Sequence, residues 1–171
     1  MACHERPMSR AFVREDAGGP PALPDLPVSP HPNLVTPSGL AALRSRLAGA
    51  QAELAALKAR ADRTDRHPEA VAERDIRYLE ARLRTAVPVD PALSEAGVAG
   101  FGSTVTVEDG DGMGRRFRIV GEDEADAARG WVTVHAPLGR ALVGARAGDE
   151  VEWRRPSGAV TLTVIAVSHE D

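Results

Sequence analysis

Cysteine is almost missing from this 171-residue chain, where Cys3 stands alone. One thiol forms no disulfide within a chain, so a disulfide-stapled secreted scaffold is excluded and a reducing, cytoplasmic setting is the simple expectation. Aromatic residues make up only 4%, so any core has to be aliphatic. No apolar run approaches the ~20 residues of a membrane span, and the N-terminus has no apolar stretch of the secretory kind; no membrane partner is expected. The histidines, His4, His31, His67, His135 and His169, show no ligand spacing, and no His/Cys cluster marks a zinc site. No Ser, Cys or Lys lies in a nucleophile motif. A self-contained hydrolase or transferase is therefore not expected. Neither is a resident cofactor or a metal held by the free protein.

What charge there is lies unevenly. The chain carries a formal −4. Residues 36–86 hold 10 Lys+Arg against 7 Asp+Glu, whereas residues 98–171 hold 8 against 12. A mildly basic stretch beside an acidic one predicts two contact surfaces of opposite sign.

Four segments follow from composition and periodicity. Residues 1–35 contain seven of the thirteen prolines and no apolar period, which predicts a disordered or extended leader. Within it, Met8-Ser9-Arg10-Ala11-Phe12 reads as an alternative natural start that would remove Cys3. Residues 36–86 form the second segment. Thr36-Pro37 is a helix start, with an N-cap and a proline at the first helical position. Leu40, Leu43, Leu47, Ala50, Leu54, Leu57 and Ala61 then recur at steps of three and four. Polar residues 62–68 break the pattern, and Ala72, Ile76, Leu79, Leu83 and Ala86 resume it. Two such stripes around a short polar turn predict an antiparallel helical hairpin of the coiled-coil kind.

Val87-Pro88-Val89-Asp90-Pro91 ends the second helix, and residues 87–100 are expected to be a linker. From Ser103 the period becomes twofold. Residues 103–107, 115–120, 131–135, 149–153 and 160–167 predict β-strands, and 137–143 a short helix. Residues 101–171 are thus an α+β domain, expected to be an antiparallel sheet carrying one short helix. Gly110-Asp111-Gly112-Met113-Gly114 lies between two strands, so it is a hairpin turn and not a phosphate loop, which needs a following helix. The carboxylates of Glu122-Asp123-Glu124-Ala125-Asp126 read as a solvated turn. The C-terminal segment offers Phe101, Phe117, Trp131 and Trp153 and no concentrated aromatic pocket, so prolyl isomerase chemistry is not expected.

Several of these stretches, in their order, resemble one family. Phe101-Gly102-Ser103-Thr104-Val105, Ile119-Val120-Gly121 with Glu124-Ala125-Asp126, Ala136-Pro137-Leu138-Gly139, and Gly148-Asp149-Glu150-Val151 through Pro156-Ser157-Gly158 look like the C-terminal domain of the GreA/GreB bacterial transcription elongation factors. The segments 9–13 and 29–33 resemble a short-hairpin subgroup. The resemblance implies an FKBP-like C-terminal fold, docking on bacterial RNA polymerase, and a hairpin directed into its secondary channel. It also implies that RNA or DNA is met only within the transcription complex. The family's polymerase-facing Ser-Pro-hydrophobic loop corresponds to Ala136-Pro137-Leu138 with His135 before it, Ala136 replacing the serine. His135, Pro137 and Leu138 are the expected docking residues.

Cleavage-stimulating members of that family carry an Asp-x-x-Glu-Asn-Ala-type motif at the hairpin tip. Its two carboxylates help hold a second magnesium in the polymerase active site. This chain has no such motif, and its hairpin is about 16 residues shorter, roughly 10–12 Å less reach. Asp62 and Asp65, spaced i, i+3, and Glu69 beyond Pro68 are the tip candidates, with Arg60, Arg63, Arg66 and His67 interleaved. They are either magnesium-assisting carboxylates or solvated turn charges. The resemblance therefore implies an accessory factor to RNA polymerase and not an enzyme, and a hairpin that pairs with itself suggests a monomer. It is either a regulator without strong cleavage activity, of the truncated Rnk kind, or a cleavage stimulator. A protein–protein adaptor outside transcription is the more distant alternative.

Overall fold

The computed structural model describes residues 22–169. Cys3, Met8 and residues 9–13 lie outside the described residues. Thr36 opens helix α1, Pro37–Ala59, its Oγ1 accepting the Gly39 N–H at 2.9 Å. Pro37 sits in the first turn, where a missing N–H breaks no helical bond. Helix α2 runs His67–Thr85. The row Leu40, Leu43, Leu47 and Ala50 packs against Leu79, Tyr78 and Leu83 of α2. Lys58, at the far end of α1, pairs with Glu73, near the start of α2, at 2.8 Å. The helices are therefore antiparallel. At 1.5 Å per residue, the 23 residues of α1 extend roughly 35 Å.

The hairpin root is closed by two very short strands. Leu34–Val35 (β1) and Val87–Pro88 (β2) pair in parallel, joined by Val87 N–H to Asn33 O at 2.8 Å and Val89 N–H to Val35 O at 2.9 Å. This corrects two expectations. Residues 33–35 are not disordered: Asn33 and Val35 are buried, and Val35 belongs to the hairpin's apolar cluster. Nor do residues 87–100 serve only as a linker. Pro91 is buried in a turn of 3₁₀ helix, Val98 bridges Arg146, and Ala99 joins the sheet's core. The physical reason is the same in both places. Apolar side chains flanking the hairpin find burial against it and against the sheet, which outweighs the ordering entropy of a few residues.

The remaining strands are β3 (Thr104–Asp109), β4 (Gly114–Val120), β5 (Trp131–Thr133), β6 (Glu150–Arg155) and β7 (Gly158–Ser168). Their order across the sheet is β5-β4-β3-β7-β6. β3 is antiparallel to β4 and β7, and β6 to β7, but β4 and β5 are parallel. The sheet is mixed, and the expectation of an all-antiparallel domain is corrected. The chain between β4 and β5 does not turn back as a hairpin. It crosses through 3₁₀ turns at Glu122–Glu124 and Ala127–Arg129 and re-enters in the same direction.

Helix α3, Pro137–Leu142, lies on one face of this sheet. Leu138 and Leu142 pack there with Val105, Val107, Ile119, Leu162 and Val164. The α+β class is as read from the sequence. Because side chains alternate along a strand, the opposite face carries Thr104, Thr106, Arg116, Arg118 and Trp131.

Candidate functional site

Three places come under consideration: the hairpin tip, the loop before α3, and the joint between hairpin and sheet. At the tip, each carboxylate has a local partner. Asp62 Oδ1 accepts from the Thr64 hydroxyl at 2.6 Å and the Thr64 N–H at 2.9 Å. These bonds hold the Asp62 carboxyl below the usual carboxylate range. Asp65 Oδ1 accepts the His67 N–H at 2.9 Å, next to the start of α2. Glu69 is different, since it is only 3% exposed and Arg63 grips it in a fork, Nε to Oε1 at 2.9 Å and Nη2 to Oε2 at 2.6 Å. Arg66 approaches the same carboxylate at 3.6 Å. The Arg63 hydrogen bonds, with the nearby Arg63 and Arg66 charges, lower the Glu69 pKa against the effect of desolvation.

Glu69 is thus a structural tie that folds the tip loop back onto α2, and its donors to a cation are already engaged. Asp62 and Asp65 stay exposed. Among the described residues, no three His, Cys, Asp or Glu side chains come together as a metal-holding group. The carboxylate set in the free chain does not fit a magnesium ion.

The loop before α3 divides the three expected docking residues. Pro137 is exposed at the first turn of α3. Leu138 is 4% exposed and packs in the core, and it also lines the apolar cavity beside this loop. His135 is half-buried, its ring stacked on that of His31 with centroids 4.1 Å apart. Beside this loop opens an apolar cavity of about 360 Å³, whose lining includes Phe117, Val132, Ala136, Pro137 and Trp153. Phe117 and Trp153 meet edge to face at 6.0 Å. Phe117 of β4, Val132 of β5 and Trp153 of β6 make this pocket together, although β3 and β7 lie between β4 and β6 in the sheet.

The joint holds the residues that sequence reading missed. The acidic turn 122–126 is not merely solvated. Asp123 accepts from Arg82 Nε at 2.5 Å and from the Tyr78 hydroxyl at 3.0 Å. Arg82 is buried to 2% exposure and also donates to Asn33 Oδ1, while Asn33 Nδ2 donates to the Arg82 carbonyl. Burial, together with the Asp123 carboxylate, raises the Tyr78 hydroxyl pKa. Glu124 receives the Thr36 N–H at 3.0 Å and the Thr36 hydroxyl at 2.5 Å, placing a negative charge at the N-terminus of α1, where the helix dipole favours it. Glu122 accepts from Ser29 at 2.8 Å.

The close fit depends on two glycines. A Cβ on Gly39 would meet the Glu124 carboxyl carbon at 2.1 Å, and one on Gly121 would meet the Leu34 carbonyl at 2.2 Å. The signal was in the sequence as a Gly-Glu-x-Glu block, but its partners lie 41 to 93 residues away.

Comparison with known proteins places these features. The family described as "Transcription elongation factor, GreA/GreB, C-term" matches residues 94–169. A GreA of Psychrobacter sp. is 38% identical over 107 residues, covering 61% of this chain and 68% of that protein. The chain belongs to the GreA/GreB family. A GreB of Xanthomonas axonopodis pv. citri is 43% identical over 98 residues, 57% of this chain and 58% of that GreB. The chain spans about three fifths of the length of the GreB relatives it matches. Among solved structures, Gfh1 of Thermus thermophilus, a GreA factor homolog, aligns at 26% identity over 81% of this chain and 99% of its own, with TM-score 0.39. A GreA/GreB factor from Nitrosomonas europaea aligns at 23% identity over 81% and 98%, with TM-score 0.40. The GreA/GreB match covers the sheet, α3 and the acidic turn. The block Gly121 to Asp126, within that match, is the part that clasps the hairpin. Among the described residues, no helix is long and apolar enough to cross a membrane.

Proposed function

We propose that this chain binds bacterial RNA polymerase as a monomer and regulates transcription elongation, with its short hairpin directed toward the secondary channel and without strong stimulation of transcript cleavage. The observation that carries the last point is the state of the tip carboxylates. Glu69 is held by Arg63 and Arg66, and Asp62 is occupied by Thr64. A second magnesium in a polymerase active site needs hard oxygen ligands that are free to turn toward it.

Docking is supported by the apolar cavity at Phe117, Trp153 and Pro137, which suits an apolar side chain presented by a partner. The curl of the sheet around α3 supports the FKBP-like description, and the paired leucine rows of α1 and α2 support the coiled-coil one. RNA and DNA are met in the transcription complex, and any magnesium belongs to the polymerase. A cytoplasmic location follows from that partner.

A second reading has a specific observation in its favour: Asp62 and Asp65 are exposed, and Asp62 is held in its ionised form. In that reading they assist cleavage by the polymerase. The test is RNA 3′-end cleavage in backtracked elongation complexes with magnesium, with and without the protein. No acceleration, together with inhibition of an authentic cleavage factor, supports the regulator, whose behaviour is that of a Rnk-type competitor. Acceleration that disappears in an Asp62→Ala/Asp65→Ala double variant supports the stimulator. Neither effect, with no polymerase binding, overturns both readings.

A further inference from the structure

The chain ahead of the hairpin lies over the joint as a strap. His31 stacks on His135, and Ser29 donates to Glu122 at 2.8 Å. Farther along, Arg77, midway along α2, donates to the Leu23 carbonyl at 2.8 Å and pairs with Asp25 at 2.7 Å. Leu23, Leu26 and Ser29 are half-buried, whereas Pro24, Pro27 and Pro30 are exposed. A period of three is that of a polyproline II helix, here with one side laid on the hairpin. From His31 to Leu23 the strap covers roughly 25 Å at about 3.1 Å per residue. The chain preceding Ala22 therefore departs beside α2, about that far from the loop before α3. The ten residues from Ala22 back to Phe12 span up to roughly 33–36 Å when extended. Phe12 is thus within reach of the apolar cavity beside Pro137.

That cavity wants a particular occupant. Its walls are apolar, and its lining also holds Arg154 and Arg155 but no acidic residue. Arg154 pairs with Glu152 at 2.6 Å. Arg155 makes no ion pair among the described residues, and its Nε is buried with no hydrogen-bond partner among them. Its guanidinium lies over the Trp153 ring, 5.2 Å from the centroid. That contact engages the flat face of the guanidinium, while the N–H groups radiate in its plane and call for oxygen acceptors. A buried donor left without an acceptor is costly, so the site suits an apolar side chain followed closely by a carboxylate. The chain carries such a sequence. Phe12, the one Phe, Tyr or Trp before residue 22, stands between Ala11 and Val13, and Glu15-Asp16 follows.

We propose that Ala11-Phe12-Val13 seats in this cavity of the same molecule, with Glu15 or Asp16 on Arg155, and thereby covers a polymerase-docking surface. The contact itself stands apart from docking. Its regulatory consequence rests on the docking role proposed above for the cavity.

The test uses the full chain with a nitroxide on a cysteine three residues ahead of Phe12, in a Cys3→Ser/Ser9→Cys variant. Amide resonances of Val132, Ala136, Leu138, Trp153 and Arg155 should broaden. Phe12→Asp should abolish the broadening, and it leaves the described fold untouched. Glu15→Lys/Asp16→Lys should reduce it, and adding Arg155→Glu should restore it. Should Arg155→Glu fail to fold, the leader variants alone decide. No broadening at these amides, or broadening indifferent to Phe12→Asp, overturns the proposal. So does broadening of isotope-labelled chains by separate spin-labelled ones to the same extent, which would make the occupant a second copy. Polymerase binding is then measured separately. A partner meets a cavity that is covered part of the time with an affinity reduced by the free fraction, so Phe12→Asp should tighten binding by about threefold or more. Unchanged affinity after the leader is released would keep the contact, overturn its regulatory consequence and remove the cavity from docking. Normal polymerase binding without any leader contact would leave docking standing and overturn the proposal alone.

Discussion

Arg82 of α2 and Asp123 of the turn after β4 meet at 2.5 Å across the joint, with side chains 2% and 5% exposed. Neither charge is solvated: Asn33 and, at 3.7 Å, the Glu122 carboxylate complete the arginine, and Tyr78 completes the aspartate. An ion pair sealed in this way contributes little beyond a well-packed apolar pair, but losing one member strands the other.

Arg82→Ala should therefore cost about 3–5 kcal/mol, read by urea unfolding. The exposed pair Lys58–Glu73 provides the contrast. Lys58→Ala should change stability by no more than about 1 kcal/mol. Equal losses in the two variants would refute the view of the joint as the point where charge matters.

Gly39→Ala is a substitution whose usual sign should invert. Replacing a helical glycine by alanine ordinarily stabilises by roughly 1 kcal/mol. Here the new methyl would lie 2.1 Å from the Glu124 carboxyl carbon, so the variant should melt lower. In a Glu124→Ala background the obstruction is gone and the ordinary gain should return. A double-mutant cycle measures the coupling, and a coupling of zero would remove the steric account.

Acid should loosen the tip before the rest of the molecule. The folded-state pKa of Glu69 is depressed by Arg63. Its contribution to stability is complete above the unfolded value of about 4.3 and disappears as pH falls through the lower folded one. Amide exchange at residues 63–70 should accelerate as pH falls through that range, beyond the intrinsic change in exchange rate. Glu69→Gln should remove the share of the pH dependence that Glu69 supplies at residues 66–70, leaving the smaller share of Asp62 at Thr64. A tip equally protected at acidic and neutral pH would contradict the clamp.

Ala136 is the N-cap of α3 and offers no side-chain oxygen to that helix. Ala136→Ser should supply one and stabilise by about 0.5–2 kcal/mol, seen as a higher melting temperature. No change would show that α3 is held by Leu138 and Leu142 alone.

Much of this architecture was legible locally. The leucine row of α1 and the shorter row of α2 carry their period in the sequence, and the glycine turn between β3 and β4 marks a hairpin. Other parts carried no local signal. β1 and β2 have two residues each, too few for alternation to register. The parallel entry of β5 depends on 3₁₀ turns of ordinary polar composition. Leu138 enters the docking set through the resemblance of Ala136-Pro137-Leu138 to a polymerase-facing loop, and its place both in the core and in the cavity wall depends on β4, β5 and β6, which the local sequence does not bring together. The carboxylates of the acidic turn looked solvated because charged residues usually are. Their arginine, tyrosine and threonine partners come from another part of the chain, which only the tertiary fold brings near.

The clip formed by β1 and β2 has a mechanical consequence. Both ends of the hairpin leave the body side by side, so the helices tilt together or not at all. A tilt of about 5° there carries the far end of a roughly 35 Å arm through about 3 Å, the length of a hydrogen bond. Aim at the distal end is thus decided at the base. Side chains as small as Gly121, against the Leu34 carbonyl, govern where Asp62 and Asp65 arrive without coming near them.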